Sequence, residues 1–287
     1  MLPLRTFSRF ALTVAVLLAA LLAYAVGGIR SAWASHLASE AMQAAILLWA
    51  AMCATIVARR SSGHLRQLWS LFASSLWLLA AAQATVTYLS SFTRASPATP
   101  WPSDVLNFIW VVPAIMMLPP YGGARGKGVN WPRTLDFIQA AIVALTAYLY
   151  FFYAPSLWEA EGEHMFHRLM VGMVSRDVLL TGCFGVRALL TRPSPARGFF
   201  ARITVFFSAV AVSELITVGQ LGQSGPANLW ADAAWSVPHL FAIFLAASWN
   251  TPQQPDPESP RPRPAGWVAS QVFPVCIPLV VILMGHR

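Results

Sequence analysis

The sequence predicts an all-α polytopic membrane protein, and three observations carry that prediction. Of its 287 residues, 57% are hydrophobic and 10% are charged, where a soluble domain carries about 25% charged residues. Apolar runs of about 20 residues recur along the chain, the length that crosses a hydrocarbon core at about 1.5 Å of rise per residue. Most Lys and Arg residues fall in short loops between those runs, rich and poor in alternation. A mean hydropathy of +0.58 excludes an ordinary soluble domain and a disordered chain. The formal net charge of +8 is spread over those loops. With no basic patch on a folded surface behind it, nucleic acid is excluded as a partner.

Nine segments are expected. Segment one, 10–29, carries no charge and is rich in Leu, Ala and Val. Arg5 and Arg9 before it and Ala32-Trp33-Ala34 after it permit a second reading as a cleaved signal peptide. Its apolar run is longer than the usual ~7–15 residues of such a region, which favours an uncleaved helix. Segment two, 41–58, ends at Arg59-Arg60, and segment three covers 68–92. Segment four, 104–118, is stopped by Pro119-Pro120, because proline cannot donate to the helical ladder. Segment five, 135–153, ends in aromatic residues; segment six, 169–190, contains Arg176 and Asp177. Segment seven, 201–219, contains Glu214, and segment eight is 229–249. Residues 251–266 are Pro-rich and read as a cytoplasmic linker. Segment nine, 267–285, is broken by Pro274 and Pro278. The expected organisation is an eight-helix body over 1–250, the linker, and a ninth C-terminal helix over 267–287 that is cut short before further sequence.

Charge orients the segments. With the N-terminus in the cytoplasm, fourteen of the Lys and Arg residues fall on the cytoplasmic side, from Arg5 and Arg9 through Arg59, Arg60 and Arg66 to Arg261 and Arg263. Four fall outside: Arg30, Arg94, Arg168 and Arg287. Cytoplasmic loops carry the basic excess in membrane proteins, so the N-terminus is placed inside.

Segments four and eight echo each other. Asn107-Phe-Ile-Trp110-Val-Val-Pro113 and Asp232-Ala-Ala-Trp235-Ser-Val-Pro238 both read Asn/Asp-x-x-Trp-x-x-Pro, with Trp101 and Trp230 upstream. The two segments have the same orientation, so the echo suggests two parallel four-helix repeats. Trp and Pro are also common at the ends of membrane helices, and that plainer reading stays open.

Charge within a bilayer is costly and marks function by default. Arg176, Asp177 and Glu214 are therefore the leading candidate ligand-binding residues. An Arg176–Glu214 pair across neighbouring segments fits their depths. Asp177 is expected to point about 100° away from Arg176 around the helix, so that one face does not serve both. Asp104, Asn107 and Asp232 lie near the same outer level, interleaved with Trp110 and Trp235. Together these line a candidate outward pocket for a small or amphipathic ligand. The plainer alternative is a structural ion pair, with Asp104 and Asp232 as helix N-caps.

Other polar features read as structure. Glu161, Glu163, His164 and His167 resemble a metal set but read as a solvated acidic loop. His239 reads as a hydrogen-bonded core histidine. The Gly-rich stretch 122–128 lacks the surroundings of a phosphate loop and reads as a basic loop near anionic lipid. Cys53, Cys183 and Cys276 sit in apolar runs and read as small buried hydrophobes. No catalytic or nucleotide fingerprint is present; no cofactor, metal or catalytic residue is assigned, and the chain is expected not to be an enzyme.

One resemblance emerges from the run Trp101-Pro-Ser-Asp104 through Trp110-Val-Val-Pro113. It is carried further by Trp131-Pro-Arg-Thr-Leu-Asp136-Phe-Ile-Gln139, by Tyr148-Leu-Tyr-Phe-Phe-Tyr153 and by Trp230-Ala-Asp232 through Pro238. These features, over about residues 1–285, resemble the multi-pass membrane sensor regions that precede diguanylate cyclase or histidine kinase domains in bacteria. The resemblance implies a sensory input module in the bacterial inner membrane. The partners expected of the chain are membrane lipid and an unidentified small or amphipathic ligand, with a homodimer as one option for its assembly. A further helix and a cytoplasmic catalytic domain would follow. This sequence departs from that plan by reaching Arg287 without a cyclase or kinase motif, so no catalysis is carried over. A small multi-pass transporter or lipid-handling protein is the alternative.

Overall fold

The computed structural model describes residues 4–29, 31–92, 102–118, 162–220 and 233–249. Among them every regular element is a helix. In chain order they are α1 (Leu4–Gly27), α2 (Ala32–Arg60), α3 (Gly63–Phe92), α4 (Pro102–Ile109), α5 (Val111–Ile115), α6 (Gly162–Leu190), α7 (Pro195–Gln220) and α8 (Val237–Ala247). Trp110 joins α4 to α5 in helical conformation, at φ −59° and ψ −24°. The pair is therefore one kinked helix, and the described residues hold seven helices rather than the eight or nine expected. Segment five, the linker and segment nine lie outside the described residues. Four helices among those described are long and apolar enough to cross a membrane: Arg5–Gly27, Trp33–Arg60, Gly63–Phe92 and Pro195–Thr217.

The helices extend beyond the expected segments. α3 begins at Gly63 rather than 68, α6 at Gly162 rather than 169, and α7 at Pro195 rather than 201. Their first turns are polar (Arg66, Gln67, Arg197), so hydropathy alone ends them early, while the backbone ladder continues past the apolar stretch. α2 starts at Ala32, with the Ser31 hydroxyl accepting from the Ala34 amide at 3.5 Å. Gly63 turns the chain between α2 and α3 at φ 55°, a left-handed conformation that glycine adopts without steric cost.

Two antiparallel hairpins, α2–α3 and α6–α7, form the body. Both are built on buried positions that recur at alternating intervals of three and four. On α2 these are Ser39, Gln43, Ile46, Ala50, Cys53 and Val57; on α7 they are Phe200, Ile203, Phe207, Val210 and Glu214. Spacing of that kind lays a straight seam between two helices at shallow crossing. Small residues on the α2 seam let its neighbour approach closely. α1 packs on α2 and α8, α8 also packs on α2 and α7, and α4–α5 packs on α3. Ser8 Oγ donates to the Ala247 carbonyl at 2.6 Å, and Trp49 Nε1 donates to the Ala11 carbonyl at 3.2 Å. These bonds tie α1 to α8 and α2.

The surface is inverted relative to a soluble protein. Phe10, Val16, Leu17, Leu21 and Tyr24 on α1, and Leu189 and Leu190 on α6, are exposed. Hydroxyls along the helices bond back to their own ladders, as Thr55 Oγ1 does to the Ala51 carbonyl at 2.8 Å and Thr204 Oγ1 to the Phe200 carbonyl at 2.9 Å. Such bonds satisfy a polar group where no water reaches it. Both features are compatible with a bundle that sits in lipid.

Candidate functional site

Arg176 lies midway along α6, with 14 residues before it from Gly162 and 14 after it to Leu190. Its side chain is 7% exposed. Arg176 Nε donates to Asp177 Oδ1 at 2.8 Å and Nη2 donates to Asp177 Oδ2 at 2.9 Å. This is the two-pronged geometry for which a planar guanidinium suits a carboxylate. Nη1 donates to the backbone carbonyl of Asn107 at 2.8 Å, which carries the contact from α6 to α4. Glu214, on α7, places Oε1 at 3.6 Å from Nη2, an ion pair beyond hydrogen-bond length.

The expected divergence of Arg176 and Asp177 is corrected here. Their Cβ atoms diverge around the helix, but the guanidinium sits at the end of a long flexible stem and returns to the neighbouring carboxylate. Asp177 is fully buried and Glu214 is 1% exposed. Two carboxylates thus face one guanidinium, and neither Glu214 oxygen has a hydrogen-bond partner.

The α4–α5 kink is part of the same site. Pro113 has no N–H for the Ile109 carbonyl one turn earlier, so the ladder lacks that bond, although the Trp110 N–H still donates to the Leu106 carbonyl at 3.0 Å. Trp110 is 1% exposed, and the Arg176 Cζ lies 5.4 Å from the centre of its ring. That is within the range of a cation–π contact. The indole also stacks on Phe207 at 5.7 Å and 11° between planes. Phe207 stacks in turn on Phe184 at 5.2 Å and 10°, and Phe184 on Phe200 at 6.4 Å and 25°. Arg187 Cζ lies 5.4 Å from the Phe200 ring centre. An aromatic column therefore runs along the α6–α7 seam with an arginine at each end. Sequence reasoning did not single out Phe184, Phe200 or Phe207. Their signal was the spacing, since Phe200, Phe207 and Glu214 recur every seven residues.

The remaining candidates are placed as follows. Asn107 joins the site through its carbonyl. Trp235 does not join it; its ring meets His239 edge-on at 5.9 Å. His239 is in turn 6.4 Å from Phe206, the neighbour of Phe207. α7 thus stands between the two echoed segments, with Phe207 facing Trp110 and Phe206 facing the Trp235–His239 pair. His239 is buried and bonds to the Trp235 backbone, while its Nε2 has no partner. Asp104 is the third residue of α4 rather than its N-cap, because the helix begins at Pro102. Asp232 lies outside the described residues, as do Glu161, the 122–128 loop and Cys276. Glu163, His164 and His167 fall in the first turns of α6. Among the described residues no group of three or more His, Cys, Asp or Glu is arranged to hold a metal.

No protein-family model, curated protein or solved structure matches the chain. Fold and site together define a helical bundle with several spans suited to a membrane and a buried charge cluster at mid-helix.

Proposed function

We propose that the chain is the sensory input module of a bacterial signalling protein, non-catalytic in itself and embedded in the inner membrane with its N-terminus in the cytoplasm. The observation that carries this reading is the Arg176 cluster. One guanidinium joins α6 to the kinked α4–α5 helix at Asn107 and lies 3.6 Å from the α7 carboxylate of Glu214. A ligand that competes for any of those partners favours one packing of the three helices over another. Differential affinity of that kind is what a conformational signal requires. The stimulus in this reading is a small or amphipathic molecule entering from the outer side, and a homodimer transmits the change.

The finer architecture belongs to the same proposal: an eight-helix body of two parallel four-helix repeats, then the 251–266 linker and a ninth helix. The contact pattern supports the repeat. α3 packs on α4–α5 as α7 packs on α8, and α2 packs on α8 as α6 reaches α4 through Arg176. The packing of α1 against α2 and α8 supports an uncleaved first helix. The turns carrying Arg59, Arg60 and Arg66, and Arg187, Arg192 and Arg197, support the cytoplasmic placement of one end.

A transporter is the second reading. It is favoured by the buried surplus of carboxylate at Glu214, since intramembrane charge often marks a substrate or ion path.

The deciding experiment follows the native reading frame through the Arg287 codon and assays full-length output in membranes. The sensory reading expects a downstream cytoplasmic catalytic domain, with output altered by Arg176→Gln at equal protein level. A frame without such a domain, or an output indifferent to Arg176→Gln and Glu214→Gln, overturns it. Substrate uptake into proteoliposomes then tests the transporter.

A further inference from the structure

A second cluster lies at the opposite end of the bundle from the α4 N-terminus, where the α2–α3 and α6–α7 turns meet the end of α8. Trp69, about two turns into α3, and Trp249, just beyond α8, pack ring to ring at 5.4 Å. Phe199 of α7 closes the group, 5.3 Å from Trp69 and 6.3 Å from Trp249. Arg202, one turn further along α7 from Phe199, holds its Cζ 4.9 Å from the Trp249 ring centre. Trp69 is 1% exposed and Trp249 is 5% exposed. The group thus contains three donors shut from solvent: Trp69 Nε1, Trp249 Nε1 and Arg202 Nη1. None of the three has a hydrogen-bond partner.

The chemistry of this group is one-sided. Indole N–H and guanidinium N–H groups only donate. A buried donor without an acceptor costs the desolvation of that group, and here three such donors share one aromatic cluster. What completes them is an acceptor with several oxygens and negative charge. Their level in the bundle names its source. Tryptophan and arginine at helix ends sit at the height of lipid headgroups. The neighbouring turns add Arg59, Arg60, Arg66, Arg192 and Arg197, which draw anionic lipid to this end.

We propose that Trp69, Trp249 and Arg202 form a binding site for the phosphate of an anionic phospholipid, at the junction of α3, α7 and α8. The site is separate from the Arg176 cluster and does not depend on the role proposed for it. Bound lipid would link three helices that approach one another here through side chains, including the N-terminal ends of both α3 and α7.

The test uses the full chain in phosphatidylcholine nanodiscs. Phosphatidylglycerol is titrated in, and thermal stability and lipid retained by native mass spectrometry are followed. The expected result is a saturable stabilisation by phosphatidylglycerol. Arg202→Gln should weaken it about tenfold, the size of one charge-assisted hydrogen bond. Trp69→Phe and Trp249→Phe keep the ring and remove the donor, and should each weaken it by about threefold or more. Arg202→Lys, which keeps the charge, should retain most of the binding. The wild-type titration stands alone if a variant fails to fold: no saturable effect, or equal stabilisation by phosphatidylcholine, overturns the proposal. Inorganic phosphate added to phosphatidylcholine discs separates the sources. If it stabilises as well as the lipid, and the three variants abolish that effect, the site takes free phosphate and the lipid assignment fails. Unchanged phosphatidylglycerol binding in all three donor-removing variants also overturns it.

Discussion

Arg176 and Asp177 are adjacent in sequence, about 100° apart around α6, and joined by two hydrogen bonds of 2.8 and 2.9 Å. The fork turns a pair of costly buried charges into one planar unit. It also aims the remaining guanidinium nitrogen at the Asn107 carbonyl on α4 and brings Glu214 to 3.6 Å. The position of the kinked helix is thereby tied to the α6–α7 hairpin.

Removing the cation should be the most damaging single change. Arg176→Gln leaves Asp177 and Glu214 buried without a counter-charge, a situation that costs about 3–5 kcal/mol. Thermal unfolding in detergent should show a lowered midpoint. Arg176→Lys should recover only part of it, because an ammonium does not reproduce the fork. A wild-type midpoint for Arg176→Gln would remove the cluster from any structural account.

The two carboxylates should differ. Asp177 accepts both prongs, whereas Glu214 lies 3.6 Å from Arg176 Nη2, beyond hydrogen-bond length. Asp177→Asn should therefore cost about 2 kcal/mol or more. Glu214→Gln, which removes the surplus negative charge, should stay within about 1 kcal/mol of the wild type. Equal losses in the two variants would contradict the geometry.

Trp110→Ala should be severe for a different reason. It opens a cavity at the kink and removes the stack on Phe207 together with the contact to Arg176, at about 3–5 kcal/mol. Trp110→Phe retains the stack and should lose about half as much. If the alanine variant unfolds like the wild type, the column carries no stability.

Cys53 and Cys183 are buried within the helices, at 0% and 4% exposure. A thiol reacts only where it is reached as thiolate. In a Cys276→Ser background, N-ethylmaleimide should leave the folded protein unlabelled and modify both cysteines once detergent has unfolded it. Labelling of either in the native membrane would show that a seam opens.

The helices themselves were legible from hydropathy, since bilayer thickness sets a length and the chain repeats it. Their ends were not. Arg66 in α3 and Arg197 in α7 look like loop residues to a hydropathy count, yet the ladder runs through them. Segment four was legible as a helix stopped by Pro119-Pro120, with Pro113 freeing a carbonyl about a turn earlier at a kink. What packs against that freed turn was not legible: Trp110 meets Phe207 and Arg176. At the site, Arg176 and Glu214 were recognisable as charge within apolar segments. The Phe184–Phe207 column was hidden among seventeen phenylalanines, because aromatic residues are ordinary in such helices and only their seven-residue spacing set some of them apart.

The sequence by itself determined the helical class, the presence of helices with the length and apolarity to span a bilayer, and the polar residues that have to find partners among them. These follow from local quantities: apolar length, proline position and the cost of burying charge. Tertiary structure alone decided the partners. Arg176 chose Asp177 and the Asn107 carbonyl because a long guanidinium stem can reach back along its own helix and across to another. Trp110 met Phe207 while Trp235 met His239, because α7 stands between the echoed helices. The direction of a side chain's reach is set by what packs around it, and residue spacing along one helix does not contain that information.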